Sequence, residues 1–157
     1  MNVLAKFEYL LLLKCPYVQT IVWDLDGTLG DMPGWNGTMP LTKYIHQLDS
    51  LRILLAHLTN AYGIRHLLVS RNAMFCGDRY IESREFFKTI GFHGVLNCYR
   101  RRSHSKVEEL SNPERCLLID DQWPECIWAV TSGSTALHVK RPFFDALTLD
   151  DYVIVRP

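Results

Sequence analysis

Apolar and polar positions change period repeatedly along this chain. Val18 to Trp23 is β-branched and apolar, bounded by Pro16 and Gly27, and predicts a buried strand. Gly30 to Pro40, rich in Gly, Pro, Asn and Asp, predicts a loop or small flap. Within Leu41 to Ala61, residues Leu48, Leu51, Leu54, Leu55 and Leu58 fall at helical spacing, and Gly63 closes that helix. Arg65 to Val69 predicts a second strand, Tyr80 to Ile90 a helix stopped by Gly91, and Gly94 to Cys98 a short third strand. Ser103 to Leu110 predicts a helix, Arg115 to Ile119 a fourth strand, and Gln122 to Thr131 a helix ended by Gly133. Thr135 to Val139 predicts a fifth strand and Asp151 to Val155 one more.

Ahead of these elements, Asn2 to Lys14 predicts an amphipathic packing segment. Its apolar run, Tyr9 to Leu13, is too short to span a bilayer. Glu8 interrupts the stretch before it and no small-residue cleavage site follows, so neither a signal peptide nor a membrane anchor is expected.

Alternating strands and helices predict an α/β fold: a three-layer sandwich with a central parallel sheet. At 157 residues the chain suits a single domain, 1–157, with a core spanning about 17–140. Zero formal net charge excludes a globally basic nucleic-acid surface and leaves room for a local patch. The five cysteines, Cys15, Cys76, Cys98, Cys116 and Cys126, form no zinc-knuckle or redox spacing, and an odd count cannot pair completely. Reduced thiols in a cytoplasmic protein are the expectation.

In parallel sheets ligands sit beyond the carboxyl ends of the strands. The residues predicted there are Asp24 and Asp26 after the first strand, Ser70 after the second, and Asp120 with Asp121 after the fourth. Lys106 opens the helix before the fourth strand. Four carboxylates gathered on one sheet edge repel each other and need a cation, and hard oxygen donors suit Mg²⁺. A metal, a lysine and a serine hydroxyl together make a pocket for a phosphoryl group. A carboxylate can itself attack phosphorus and form an aspartyl-phosphate. A second acid two residues along can protonate the leaving oxygen and later activate water.

The stretch Val22-Trp23-Asp24-Leu25-Asp26-Gly27-Thr28-Leu29 resembles the first motif of the haloacid dehalogenase (HAD) superfamily, hydrophobic-D-x-D-G-T-L. Leu67-Leu68-Val69-Ser70 resembles its second motif, Lys106 the third-motif lysine, and Leu117-Leu118-Ile119-Asp120-Asp121 its acidic fourth motif. All four stand in the family's order, over about Gln19 to Val139. The resemblance implies a Rossmann-like HAD fold and a Mg²⁺-dependent phosphatase, that is, a phosphomonoester hydrolase. It makes Asp24 nucleophile and metal ligand, and Asp26 general acid/base and a metal ligand through its main-chain carbonyl. Thr28 would order the nucleophile loop and, with Arg71, face the substrate. Ser70 would hydrogen-bond the phosphoryl oxygen, Lys106 would bridge Asp24 and phosphate, and Asp120 and Asp121 would hold the metal directly or through water.

The Asp26-to-Ser70 and Ser70-to-Lys106 intervals are too short for an inserted cap domain, which implies an open site. Capless members often act on macromolecules, so a large or exposed phosphorylated substrate is expected, such as a phosphoprotein or a nucleic-acid end. Details also resemble the glyceryl-transferase branch, which works with a carrier protein, and polynucleotide 3′-phosphatases. An inert binding module is a further alternative. Arg100, Arg101 and Arg102 are either a solvated turn or a basic substrate-binding rim. Trp35 is expected to pack the flap down, with stacking on a ligand ring as its alternative; Trp123 and Trp128 are expected to pack their helix.

Overall fold

A strand buried on both faces needs apolar residues at every position, and Thr20–Trp23 (β1) meets this with Ile21, Val22 and Trp23. In this computed structural model, which describes residues 2–75, 78–98, 105–108, 110–145 and 152–157, β1 lies at the centre of a six-stranded sheet. The other strands are Arg65–Ser70 (β2), Gly94–Asn97 (β3), Cys116–Asp120 (β4), Thr135–Val139 (β5) and Tyr152–Val155 (β6). Their order is β3-β2-β1-β4-β5-β6. β1 to β5 run parallel and β6 pairs antiparallel with β5, so the sheet is mostly rather than wholly parallel.

Alternation along each strand divides the core. Ile21 and Trp23 join Leu68, Leu117, Ile119 and Leu137 on one face. Val22 joins Leu67, Val69, Leu118 and Ala136 on the other. The first face is covered by helices Val3–Lys14 (α1), Leu48–Tyr62 (α3) and Asp78–Ile90 (α4), the second by Trp123–Thr131 (α5). A four-residue helix, Leu41–Tyr44 (α2), precedes α3. This is the expected three-layer Rossmann-like architecture. Trp23 is fully buried, edge-on to Phe143 at 5.1 Å, and its indole N–H donates to His66 Nδ1. Truncating so large a buried ring costs about 3–5 kcal/mol.

The N-terminal segment packs on the core as expected, but it is barely amphipathic, because its outward positions are apolar as well. Asn2 caps α1 by accepting from the Ala5 N–H, Phe7, Leu10 and Leu11 are buried, and Tyr9, Leu12 and Leu13 are exposed. No helix among the described residues is long and apolar enough to cross a membrane. Cys15, Cys98, Cys116 and Cys126 are unbridged.

Three expectations are corrected. The single helix over Leu41 to Ala61 is two, because Gln47 takes a left-handed φ of 49° between them. Tertiary bonds hold the break: the His46 N–H donates to Leu29 O, and the His46 ring lies 2.8 Å from both Asp31 and Asp145. Residues 105–108 of the expected Ser103–Leu110 helix form hydrogen-bonded turns instead, with Val107 driven into the core and Lys106 into the site. Trp123 and Trp128 do not pack their helix inward: they are 47% and 42% exposed, because α5 buries Glu125, Cys126 and Ala129.

Candidate active site

Where β1 ends, the Asp24 N–H still bonds to Ile119 O, so the residue is held in sheet register beside β4. The chain then turns sharply: Leu25 O accepts from the N–H groups of Thr28, Leu29 and Gly30. Gly27 makes this possible with a φ of 82°, and a Cβ there would sit 2.3 Å from Asp121 Oδ2. The turn brings Thr28 back under Asp24, and its hydroxyl donates to Asp24 Oδ2 at 3.0 Å.

The other oxygen of Asp24 meets Lys106. Nζ lies 2.7 Å from Asp24 Oδ1 and 2.8 Å from Asp120 Oδ2, and all three residues are buried. Asp120 Oδ1 accepts from the Gln122 N–H, and the Gln122 side-chain amide donates to Asp121 Oδ2. Asp24, Asp120 and Asp121 each present an oxygen within 4.8 Å of the others. Three carboxylates facing one ammonium leave excess negative charge among hard oxygen donors. That donor set fits a divalent ion of the Mg²⁺ type.

Burial pushes the Asp24 carboxyl up to about 7 despite the pull of Lys106. Burial, then the charge of Asp24, pushes Asp120 up to about 7 as well. Burial also raises Asp121. Lys106 keeps its proton: desolvation works against its charge, but Asp24 and Asp120 outweigh it and hold the ammonium above its ordinary value.

The Asp26 carboxylate turns away from this trio. Its oxygens are bonded instead by the Trp35 N–H, the Tyr44 hydroxyl and the Asn72 side-chain amide. Any metal role for Asp26 is thus left to its main chain. Ser70 is buried at the end of β2, and its hydroxyl oxygen accepts from the Asn72 N–H at 3.0 Å. Arg71 forms an ion pair with the buried Glu125, donates to Cys98 O and lies over the Trp128 ring. Its guanidinium is therefore engaged within the protein. Trp35 packs as expected: the indole is buried against Phe75 and its N–H donates to Met39 O. Arg100, Arg101 and Arg102 lie outside the described residues.

Tyr44 and Glu125 carried no signal in the sequence, since each meets its partner only through the fold. Asn72 was findable: a side-chain amide two residues beyond the serine of the second motif falls on the same sheet edge. Between the flap and α4 lies a cleft of about 460 Å³ bordered by Trp35, Met39, Leu41, Ser83 and Phe86.

The sheet order and the acidic strand ends thus define a Rossmann-like α/β protein with a carboxylate cluster at the carboxyl edge of its parallel strands, the architecture that the motif resemblance implies. No family model and no curated protein matches the chain. Among solved structures, a HAD family enzyme from Bacteroides thetaiotaomicron, a mutant complexed with magnesium and inorganic phosphate, is similar at 12% identity and TM-score 0.48. That match covers 79% of this chain and 95% of the other. The cobalt-bound deoxy-D-mannose-octulosonate 8-phosphate phosphatase of Haemophilus influenzae is similar at 15% identity and TM-score 0.46, over 86% of this chain and 75% of that one. The fold class rests on this chain's own topology and site.

Proposed function

We propose that this chain is a Mg²⁺-dependent phosphomonoester hydrolase that works through an aspartyl-phosphate on Asp24. The observation that carries this reading is the convergence on Asp24: Lys106 on Oδ1, Thr28 on Oδ2, and Asp120 and Asp121 beside it. Two donors orient the carboxylate as a nucleophile, and the lysine supplies positive charge for a phosphoryl group arriving at it. Bound among Asp24, Asp120 and Asp121, Mg²⁺ would neutralise phosphoryl charge.

In the first half-reaction an Asp24 oxygen bonds to phosphorus as the bond to the leaving oxygen breaks. Asp26 gives that oxygen a proton, releasing an alcohol. In the second, Asp26 takes a proton from water, the water oxygen bonds to phosphorus, and the bond to Asp24 breaks. Phosphate leaves, Asp24 is again a carboxylate, and Asp26 is again the protonated acid with which the cycle began. Ser70, at the end of β2, would donate its hydroxyl to a phosphoryl oxygen. The short intervals between motifs favour a large or exposed substrate, and the run Arg100, Arg101 and Arg102 supplies basic side chains suited to binding its phosphates.

Turnover of p-nitrophenyl phosphate with Mg²⁺ and with EDTA tests the reading, alongside Asp24→Asn. Turnover should require the cation and fall by at least about three orders of magnitude in the variant. Activity that survives EDTA overturns the metal assignment, and an active Asp24→Asn protein removes Asp24 as nucleophile.

A further inference from the structure

The carboxylate of Asp26 sits in a cage made by three segments of the chain. Oδ1 accepts from the Trp35 backbone N–H at 2.9 Å and lies 2.7 Å from the Tyr44 hydroxyl. Oδ2 accepts from the Asn72 side-chain amide at 2.9 Å. That same amide donates to Trp35 O at 2.9 Å, so the acid and the flap share one donor group. A carboxylate offers about four lone-pair positions. Among the described residues, Oδ1 has two hydrogen-bond neighbours and Oδ2 has one.

Tyr44 reaches this cage from α2 because nothing stands between it and the nucleophile loop. Its buried ring lies so close to Gly30 that a Cβ there would come within 2.2 Å of Cε1. The hydroxyl is also 2.6 Å from Asp31 O, at the start of the flap. Its single proton therefore lies between the acid and the flap backbone.

We infer that Tyr44 is a positioning residue for Asp26: its hydroxyl anchors Oδ1 and leaves Oδ2 as the atom that exchanges a proton with the leaving group and with water. The inference rests on the hydrolase reading above for its chemistry. Tyr44 touches neither phosphorus nor the departing oxygen; it acts by holding the acid against the flap.

Tyr44→Phe tests this, because it keeps the ring on Gly30 and removes only the hydroxyl. Proton donation matters most for basic leaving groups, so kcat on an alkyl phosphate should fall about tenfold or more, and kcat on p-nitrophenyl phosphate by less than about threefold. KM for both esters should stay within about twofold. In an Asp26→Asn background the same substitution should cost nothing further, since both changes act through one group. Equal losses on the two esters, or a further loss in that background, overturn the inference. Deuterium exchange at the Trp35 amide gives a readout independent of turnover. It should speed up about tenfold in Tyr44→Phe, while the Thr38 amide, bonded to Asn36 Oδ1, stays unchanged. If the wild type turns over neither ester, the hydrolase reading fails. Exchange at Trp35 then decides the anchoring alone, and an unchanged rate overturns it.

Discussion

Lys106 Nζ lies 2.7 Å from Asp24 Oδ1, although the two residues are 82 positions apart in the chain. The same ammonium reaches Asp120 Oδ2, so one buried cation serves the carboxylates at the ends of two adjacent strands. Everything the site does with charge passes through this arrangement.

Replacing Lys106 by Met should therefore cost stability as well as activity. Removing one partner of a buried ion pair costs about 3–5 kcal/mol, or roughly 10 °C in a chain of this size. In EDTA the loss should be large at pH 8 and smaller at pH 6, where Asp24 and Asp120 can take up protons. Thermal unfolding at the two pH values reads this directly. Equal losses at both would show that the lysine contributes packing and not charge.

Metal binding should depend on pH in a defined direction. Asp24 and Asp120 are raised from 3.8 to about 7 in the metal-free fold. Between those values the folded chain holds protons that the unfolded chain has lost. Their contribution to metal-free stability is full below 3.8 and is lost as pH rises to about 7. Mg²⁺ needs the deprotonated carboxylates, so its affinity should tighten by about tenfold per pH unit below 7 for each proton displaced. Calorimetry at pH 6 and pH 8, in buffers of different ionisation heat, measures both the affinity and the proton release. A pH-independent affinity would exclude these carboxylates as the ligands.

Gly27→Ala should damage the metal site although it replaces no ligand. The left-handed backbone costs an alanine about 1–2 kcal/mol. The new methyl would also meet Asp121 Oδ2 at 2.3 Å. We expect a lower melting temperature and Mg²⁺ affinity weaker by about tenfold, as for loss of a supporting contact. Wild-type affinity in a folded variant would remove Asp121 from the binding set.

His66 provides a second pH-sensitive element, away from the site. It is fully buried, and its Nδ1 accepts from the Trp23 indole, so the neutral ring is required there. Burial, then the neighbouring His93, depresses it to about 4 from 6.5. A histidine with a depressed value stabilises the fold above 6.5 and loses that contribution as pH falls through 4. Measured against His66→Gln, the wild type should lose about 3 kcal/mol of unfolding free energy between pH 6.5 and pH 4. Parallel pH curves for the two proteins would contradict the assignment.

The sequence alone determined the layering and the edge on which the site stands. β1 and β4 read as strands because burial on both faces demands unbroken apolar runs, and α3 reads as a helix because its leucines recur on one side. Both are local consequences of partition between core and water. Parallel strands point their carboxyl ends one way, so Asp24, Asp26, Ser70, Asp120 and Asp121 were bound to meet once the alternation of elements was recognised. Tertiary structure alone decided how those side chains divide their work. It turned Asp26 toward Tyr44 and Trp35 while Asp24 joined Asp120 and Asp121. It tied Arg71 to Glu125, broke the helix at Gln47, and left Trp123 and Trp128 half-exposed. Each of these depends on a contact between residues far apart in the chain, or on which face of an element meets the sheet. Periodicity carries no record of either, because it is set by each segment's own partition and not by the neighbour that segment finally meets.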